Sequence, residues 1–474
     1  MSTFSGLNTA YTGLVAAKTG LDVVGQNIAN AGTAGYTRQR VVTSGVTALS
    51  NAGLFTGGVR PGQGVSVDGI QRLGDAGLDA RVRTTTALSG YSGTRATALA
   101  TLEASLNEPG TNGLSTQLQK FWSAWSDVSN QAGESAPAGA LLGQAATLVT
   151  QLSQGYRAVD GQWSALRTSV DGMVSDLNTA ASEVADLNGR IRSTLAAGGS
   201  ANELIDRRDL LTTSIANLSG GVVVPKQDGT VDVLIGGNAI VSGTDFNAVQ
   251  AAGSRQLADA TGDPVRLEWA KGPGTAIAME GGAISGALST LAPADASGTG
   301  GVLAEAAASY NTFAVTLAQK VNDVHRTGAT PSGATGLDFF AIDASKPAAL
   351  GISVVPTGVD QIAASTPGAG GKNGSVADAI SQLGTGPGAV DKLWSSFVVR
   401  VGVASKTENQ QSDLADLATT SAVNSQLANS SVDLDEENMN LLAFQHAYQG
   451  AARVMTAVDE ALDVLINHTG LVGR

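Results

Sequence analysis

Apolar residues recur at alternating steps of three and four near both ends of the chain, which is the pattern of the seam between paired helices. The C-terminal seam is continuous for more than three heptads, whereas Lys18 and Gly25 interrupt the N-terminal one. Both end segments are therefore predicted to be amphipathic helices. Their seam positions are Phe4, Leu7, Tyr11, Leu14, Leu21, Ile28, Leu441, Phe444, Tyr448, Ala451, Met455, Val458, Leu462 and Leu465.

The two terminal seams have no obvious place of burial within their own domain. Complete burial of one aliphatic or aromatic side chain stabilises a protein by about 1.5–3 kcal/mol, so seams left in water would forgo on the order of 10 kcal/mol. Between Met1 and Thr37 only Lys18 and Asp22 are charged, although a surface helix normally carries many charges. We therefore predict that the seam residues form an assembly interface. The alternative is a weakly formed terminus rich in small residues.

A third seam in the middle of the chain predicts a long helical bundle. Twelve consecutive seam positions from Leu152 to Ile191 are apolar, which corresponds to a helix roughly 60 Å long. Shorter seams run from Leu303 to Val324 and begin again at Leu393. These helices are expected to bury their seams against one another inside the molecule.

Two regions between the helices are predicted to be extended. Glycines interrupt short valine-containing runs between Val41 and Leu73, which favours irregular extended structure. Apolar and polar residues alternate from Val231 to Ile235, directly after the turn-forming pair Asp228-Gly229. The second region is therefore predicted to be a small β domain.

The predicted fold class is mainly α with a β insert, in an elongated protein of several domains. A further stretch rich in Gly, Pro, Ser and Thr is expected to add loops to the bundle. The predicted division is 1–36 with 431–474 for the terminal helical core domain, 37–220 with 280–430 for the helical bundle domain with irregular β and loop segments, 221–279 for the small β domain, and 327–388 for a loop-rich insertion.

Composition excludes several classes of function. The chain has 28 Lys and Arg against 41 Asp and Glu, a net charge of −13, and no basic patch, so nucleic acid is not expected as a partner. It has no cysteine, which removes disulfides and thiolate chemistry. No segment approaches the roughly 18 apolar residues of a membrane span, and none resembles a cleavable signal peptide. The chain is expected to be cytoplasmic, or to leave the cell by a route that reads an uncleaved N-terminus.

No catalytic, cofactor or metal site is predicted. The three histidines, His325, His446 and His468, do not have the spacing of metal ligands. The loop Gly368–Asn373 lacks the first glycine and the Ser or Thr of a phosphate-binding loop. We therefore expect no enzyme activity and no cofactor.

Two charged clusters have simple structural explanations. Either Ser431 or Asp433 can cap the start of a helix, and Glu436 lies three residues beyond Asp433, as in a capping box. Negative charge is favourable at that end of a helix. The charged run from Asp206 to Asp209 is expected to form a solvated helix face with local ion pairs.

Motifs at the two ends of the chain resemble a signature shared by flagellar rod, hook and junction subunits. The N-terminal motif is Asn27-Ile-Ala-Asn30 followed by Gly35-Tyr36-Thr-Arg38-Gln39. The segment Asn202–Leu210 resembles, more narrowly, the FlgK family of flagellar hook-associated proteins at the hook–filament junction. The C-terminal motif residues are Asp433, Leu434, Glu436, Glu437 and Gln445.

The resemblance implies a structural adaptor of the bacterial flagellum. Its terminal helices would pair in the inner tube of an axial assembly, with the helical and β domains further out. The implied partners are the flagellar hook protein, a second junction protein, further copies of the chain and a cytoplasmic export chaperone. The implied location is extracellular, at the hook–filament junction, after type III export without a cleaved signal peptide.

Two other functions remain open at this point. A hook or rod axial subunit would share the terminal motifs, but the twelve-position seam disfavours it. A secreted coiled-coil adhesin or translocator would also carry helical ends, and it would leave swimming unaffected if it were deleted.

Overall fold

The structure is a computed structural model that describes residues 3–47, 62–272, 274–386 and 388–468. Helices account for 63% of it and strands for 11%, so the predicted fold class is confirmed. The side chain of Phe4 and the glycines at 53, 57 and 58 lie outside the described part. The helices are α1 (Thr3–Asn30), α2 (Ala76–Leu106), α3 (Leu114–Asn130), α4 (Ser135–Ala196), α5 (Asn202–Ser219), α6 (Gly282–Leu291), α7 (Val302–His325), α8 (Ala348–Gly351), α9 (Ser375–Ser381), α10 (Val390–Ser430) and α11 (Leu434–Asp463).

The described strands form small antiparallel sheets beside the helices. One four-stranded sheet has the order β3-β4-β5-β6, and the other pairs are β1 with β2, β7 with β8 and β9 with β10. The strands are β1 (Gln39–Gly45), β2 (Val65–Arg72), β3 (Val222–Pro225), β4 (Val231–Ile235), β5 (Asn238–Ser242), β6 (Asp245–Phe246), β7 (Val249–Ala252), β8 (Arg266–Trp269), β9 (Phe340–Ile342) and β10 (Ile352–Val354).

Helix α4 is the longest element of the bundle. Its 62 residues span about 93 Å at 1.5 Å per residue, half as long again as the sequence predicted. The additional length lies at its N-terminal end, where Ala138, Leu141, Ala145 and Leu148 continue the same three-and-four spacing and are buried. The seam therefore extends beyond the residues that were used to predict it.

The predicted insertion contributes aromatic residues to the core. Phe339 and Phe340 are at most 1% exposed and stack against Phe121 with ring centroids 6.1 and 5.8 Å apart. Asn322 of α7 holds this segment in place, because its side-chain oxygen accepts from the backbone N–H groups of Phe339 and Phe340, both at 2.9 Å. The segment therefore packs into the bundle that it follows in the chain.

A buried amide attaches the β domain to α4. Asn188 is fully buried; its amide donates to the carbonyl of Val231 at 2.7 Å, and its oxygen accepts from the N–H of the same residue at 3.1 Å. The alternating residues Val231, Val233 and Ile235 of β4 are buried, as the pattern predicted. At the preceding turn, Gly229 adopts a φ of 81°, in the left-handed region that favours glycine.

Helix α2 lies between α10 on one side and α5 with α6 on the other. Ser89 donates to Asp416 of α10 at 2.5 Å, and Arg95 pairs with Glu408 of α10 at 2.7 Å. Towards α5 and α6, Gly90 lies so close to the backbone of Asn217 that a Cβ atom would collide with it. The bundle is therefore layered at this level, with α10 outermost.

The buried His325 connects α7 to the insertion. It is fully buried, its Nδ1 lies 2.7 Å from the carbonyl oxygen of Leu337, and the N–H of Ala363 donates to its Nε2 at 3.0 Å. Since a backbone N–H can only donate, the imidazole is neutral and carries its proton on Nδ1. Burial lowers the pKa of His325, against the opposing effects of the Leu337 hydrogen bond and of Asp338.

This arrangement predicts a loss of stability in mild acid. Because the pKa of His325 is lower in the folded state, the unfolded chain binds more protons below about pH 6.5, so the free energy of unfolding falls as the pH decreases through that region. His325→Gln removes the titrating group and should flatten this dependence. Urea unfolding at pH 7.0 and 5.5, followed by tryptophan fluorescence, tests it, since the Trp125 ring lies 6.1 Å from His325.

The matched control replaces an exposed histidine of α11, His446→Gln, and keeps the buried imidazole. It should lose as much stability between the two pH values as the unaltered protein. An equal loss in the His325→Gln variant would show that the buried imidazole does not cause the acid sensitivity.

Candidate assembly site where the chain ends meet

Helices α1 and α11 pack antiparallel with a regular seven-residue register. Gly6 faces Val458, Gly13 faces Ala451 and Gly20 faces Phe444, so positions rise by seven along one helix as they fall by seven along the other. Continued by one more heptad, the register brings Asn27 to Glu437, which are hydrogen-bonded at 3.0 Å. The two ends of the chain therefore form one two-helix unit, called the terminal pair below.

The face that α1 turns to α11 is built from small residues. Gly6, Gly13 and Gly20 alternate there with Ala10 and Ala17, which are 6% and 4% exposed. Small side chains allow two helices to approach closely, and the ring of Phe444 fills the space above Gly20. This face is offset by one residue from the apolar seam that the sequence analysis identified.

The predicted seam residues of α1 lie beside this contact face. Leu7, Leu14, Leu21 and Ile28 are half-buried, and Tyr11 is 57% exposed. Within a single chain α11 covers them only in part. Their predicted role in an assembly interface thus requires a second surface, and it remains a proposal.

The predicted seam residues at the C-terminal end of the chain divide into two groups. Phe444 and Val458 lie against the glycines of α1. The remainder are half-buried or exposed: Leu441, Met455 and Leu462 are half-buried, while Tyr448 and Leu465 are 37% and 58% exposed. Further large apolar side chains of α11 face the solvent as well, namely Met439, Leu442 and Val454.

Asn27 is the hydrogen-bonding centre of the motif region. It is 1% exposed, and its amide donates to Glu437 at 3.0 Å and to the carbonyl of Gln39 at 2.8 Å. Its oxygen accepts from the N–H of Gln39 at 3.0 Å and from the hydroxyl of Tyr36 at 2.9 Å. One side chain thus connects α1, the first residue of β1 and the first turn of α11.

Glu437 is the buried acceptor that receives these contacts. It is 1% exposed and binds the guanidinium of Arg38 at 2.8 Å as well as Asn27. Arg38 also pairs with the exposed Glu436 at 2.5 Å, and its backbone N–H donates to Ser430 at the end of α10. A buried carboxylate is tolerated because both of its oxygens are hydrogen-bonded, one of them to a cation.

The start of α11 is capped as predicted. Asp433 accepts from the N–H groups of Asp435 and Glu436 at 2.8 and 3.3 Å, which confirms it as the N-cap. Glu436, which was expected to complete a capping box, pairs with Arg38 instead. Its carboxylate therefore joins the chain ends rather than the helix start.

The remaining motif residues lie partly at the end of α1 and in the loop after it, and partly on the surface of α11. Asn30 donates to the carbonyl of Gln26 at 3.0 Å, and Gly35 adopts a φ of 78° with Leu210 so close that a Cβ atom would collide with it. Leu434 and Gln445 are exposed. They make no contribution to the buried network described above.

A second ion-pair network attaches this loop to the bundle. Asp206 of α5 accepts from the backbone N–H of Thr37 at 3.0 Å and pairs with Arg72 of β2 at 2.5 Å. Arg72 also pairs with Asp209 at 2.7 Å. The terminal pair is therefore held to the bundle through β1, β2 and α5.

The expectation of a solvated helix face from Asp206 to Asp209 is wrong. Asp206 and Arg208 are each 6% exposed, and Arg208 donates to the carbonyl of Gly229 at 2.7 Å and to Asn188 at 3.1 Å. Burial raises the pKa of Asp209, while Arg72 opposes the change. Of the four residues, only Arg207 is largely exposed, with 65% of its side chain accessible. The local sequence resembles a surface helix because its partners lie far away in the chain.

The phenol of Tyr36 is held in its neutral form. Burial, together with the negative charges of Glu203, Asp206 and Glu437, raises its pKa to about 12. A neutral phenol can donate to Asn27, so the motif keeps its hydrogen bonds throughout the physiological pH range.

The chemistry of this region is that of a structural joint. Its polar atoms bind other segments of the chain, and in the described ranges no group of three or more His, Asp or Glu side chains is placed to hold a metal ion. None of the helices in the described part combines the length and hydropathy of a membrane span. The candidate site is therefore the terminal pair together with the hydrogen-bonded joint beneath it.

Two parts of the chain, the helical bundle and the C-terminal helix, match family models of flagellar proteins. Residues 99–340 match the flagellar hook-associated protein FlgK helical domain, and residues 423–467 match the flagellar basal body rod FlgEFG protein C-terminal region. The second match ends close to the end of α11. The two matches agree with the motif resemblances in the middle and at the C-terminal end of the chain.

Individual proteins and one solved structure that resemble this chain are also flagellar hook-associated proteins. Flagellar hook-associated protein 1 of Bacillus subtilis is 29% identical over 507 residues, covering 100% of both chains. The Escherichia coli protein of that name is 30% identical over 73% of this chain and 61% of its own length. The flagellar hook junction protein FlgK from Burkholderia pseudomallei shares the fold, with a TM-score of 0.64 and 15% identity over 73% of this chain and 99% of that one.

Two glycines of α1 give a matched test of the terminal pair. Gly25 has open space around its Cβ position, so Gly25→Ala should stabilise the helix by about 0.4–1 kcal/mol. At Gly20 the added methyl group would collide with Phe444, so Gly20→Ala should cost about 1–3 kcal/mol. Amide exchange of α1 and α11 measures both effects, and equal protection in the two variants would contradict this packing.

The buried carboxylate predicts an asymmetry between adjacent glutamates. The substitution Glu437→Gln leaves Arg38 opposite an uncharged group. It should lower the free energy of unfolding by about 2 kcal/mol, which is the range of a hydrogen bond to a charged partner. Glu436→Gln removes the half-exposed partner of the same arginine and should cost less than about 1 kcal/mol. The measurement is amide exchange in the first turn of α11, and an equal effect of both changes would refute the assigned role of Glu437.

Proposed function

This chain belongs to the FlgK family of flagellar hook-associated proteins, and on that premise we propose that it is the adaptor at the hook side of the hook–filament junction. Several copies would form a ring or a short helical layer. One side of the layer would contact the flagellar hook protein, and the other side a second junction protein that leads to the filament. The family is one of structural flagellar proteins, and we assign no catalytic step to this member.

The observation that carries this proposal is the incomplete burial of the terminal pair. Tyr11, Met439, Leu442, Val454 and Leu465 are between 51% and 64% exposed, although each is a large apolar side chain. Neighbouring copies can remove these surfaces from water, at roughly 25 cal/mol per Å² of apolar area. The joint of Asn27, Arg38 and Glu437 would fix the direction in which the pair leaves the bundle.

We further propose that the chain reaches this location by type III export with its N-terminus uncleaved, after being held by a cytoplasmic chaperone. The absence of cysteine supports this route, because no disulfide has to be avoided before the chain passes through a narrow channel.

Deletion of the gene tests the location. Electron microscopy should show hooks without filaments, and filament subunits should be shed into the medium. Cells that lack hooks altogether would indicate a hook or rod subunit, and cells that swim normally would indicate an adhesin or translocator. Either result would contradict the junction proposal.

Complementation of that deletion tests the interface. Leu462→Asp would place a charge among the half-buried apolar residues of α11, so the variant should fold in its middle domains but fail to restore filaments. Ala146→Asp puts the same charge on the exposed surface of α4 and should restore them. Normal filaments with Leu462→Asp would refute the interface.

A further inference from the structure

Gln39, the first residue of β1, is hydrogen-bonded through its backbone to α1. It stands opposite Arg72 in the hairpin of β1 and β2, and the carbonyl of the preceding Arg38 accepts from the N–H of Leu73 at 2.9 Å. Since hydrogen-bonded and non-hydrogen-bonded pairs alternate in an antiparallel hairpin, the N–H and C=O of Gln39 point away from β2. Both bind the side-chain amide of Asn27, at 3.0 and 2.8 Å. Asn27 therefore takes the place of a further strand at this edge of the hairpin.

The side chain of Gln39 binds α5 instead. Its Oε1 accepts from the amide of Asn202, the first residue of α5, at 2.9 Å, and its Nε2 donates to Glu203 at 3.4 Å. Asn202 also donates to the carbonyl of Ile70 in β2 at 3.2 Å. Because Gln39 and Asn202 are 6% and 7% exposed, loss of their contact would leave a buried polar atom without a partner. The first turn of α5 thus holds both strands of the hairpin.

These contacts connect the bundle to the terminal pair in series. Asn202 binds Gln39, and Gln39 binds Asn27. Asn27 in turn donates to Glu437 in the first turn of α11 at 3.0 Å. The four side chains are called the amide chain below, and all are at most 7% exposed. Because a hydrogen bond weakens steeply as its geometry departs from linear, the amide chain fixes the distance between the starts of α5 and α11.

The two ends of the amide chain lie in regions with different relatives. Asn202 belongs to the part of the chain that matches the FlgK helical domain, and Glu437 to the part that matches the rod protein C-terminal region. The amide chain therefore joins a helix that resembles rod proteins to a bundle that resembles hook-associated proteins. A contact at this boundary is suited to give the terminal helices a direction particular to this subunit.

We propose that Gln39 and Asn202 are positioning residues of the junction subunit, which set the direction of the terminal pair relative to the bundle. This inference rests on the proposed function, because a regular layer needs every copy to present its terminal pair in the same direction. Both residues act through Asn27, and the surface that meets the neighbouring molecules remains that of α1 and α11.

Amide exchange in the purified full-length chain tests this coupling. Asn202→Leu removes both hydrogen bonds of the amide at a similar side-chain volume, so the backbone N–H of Glu437 should exchange about fivefold faster, the factor expected for one lost hydrogen bond. In the described residues no hydrogen bond of Asn202 reaches α11, so this effect has to pass through Gln39 and Asn27. Unchanged exchange at Glu437 would overturn the proposal.

Asn178→Leu is the matched control, because the amide of Asn178 in α4 also makes two hydrogen bonds. Both go to the backbone of Val249 in β7, at 2.8 and 2.9 Å. This variant should speed exchange in β7 and leave the N–H of Glu437 unchanged. Equal acceleration at Glu437 in the two variants would show a general loss of stability, and it would overturn the coupling.

A double-mutant cycle tests the route through Gln39. Gln39→Met keeps the length of the side chain but removes its amide, so on its own it should accelerate exchange at Glu437 as Asn202→Leu does. It also repeats the first test if Asn202→Leu does not fold. In the Gln39→Met background, Asn202→Leu should add less than about a twofold change, because the contact that it removes is already gone. Additive effects would contradict the route.

Complementation of the deletion strain separates this role from the proposed function. Cells with Asn202→Leu should carry filaments about threefold less often than cells with Asn178→Leu, because one misdirected copy is enough to interrupt a closed layer. Equal numbers of filaments would overturn the positioning role and leave the proposed function intact. Failure of the proposed function is seen separately, as normal swimming or missing hooks in the deletion strain without any variant.

Discussion

Helix α1 has limited cover within one chain, because among the described residues it packs against α11 along a single face of small residues and otherwise meets only the hairpin of β1 and β2, where the N–H of Val65 donates to Thr12. The small residues of α1 let α11 approach closely, so the shared face is narrow, and the larger apolar side chains are left on its flanks. Tyr11, Leu442 and Val454 remain exposed for that reason. A second surface is needed to cover them, and under the proposed function it would come from neighbouring copies or from other flagellar proteins.

The hydrogen-bonded joint beneath the terminal pair determines how that exposed surface is oriented. Asn27, Arg38 and Glu437 bring the end of α1, the start of β1 and the start of α11 together, and Asp206 with Arg72 ties the loop to α5. Buried ion pairs of this kind add little net stability, but they tolerate few alternative arrangements. The network therefore fixes the orientation of the terminal pair relative to the bundle, which a regular layer of copies requires.

The sequence predicted those elements whose signal is local. The seam of α4, the alternation of β4 and the N-cap at Asp433 depend on neighbouring residues, and the structure contains all three. The contact face of α1 was displaced by one position, because glycine and alanine carry no apolar signal although they decide how closely helices pack. The roles of Asp206 and Arg208 were missed since their partners are distant in sequence. The sequence did offer one signal of their burial, because Asp206 and Arg208 lie in a helix whose other residues include buried apolar ones.

Amide hydrogen exchange in the two states of the protein tests the central claim most directly. The isolated chain and the chain in purified hook–junction particles are compared segment by segment. The account predicts a large gain in protection that is concentrated in α1 and α11, with little change in α4 and α7. Terminal helices that exchange as slowly in the isolated chain as in the particle would contradict it, because one copy would then suffice to shelter them.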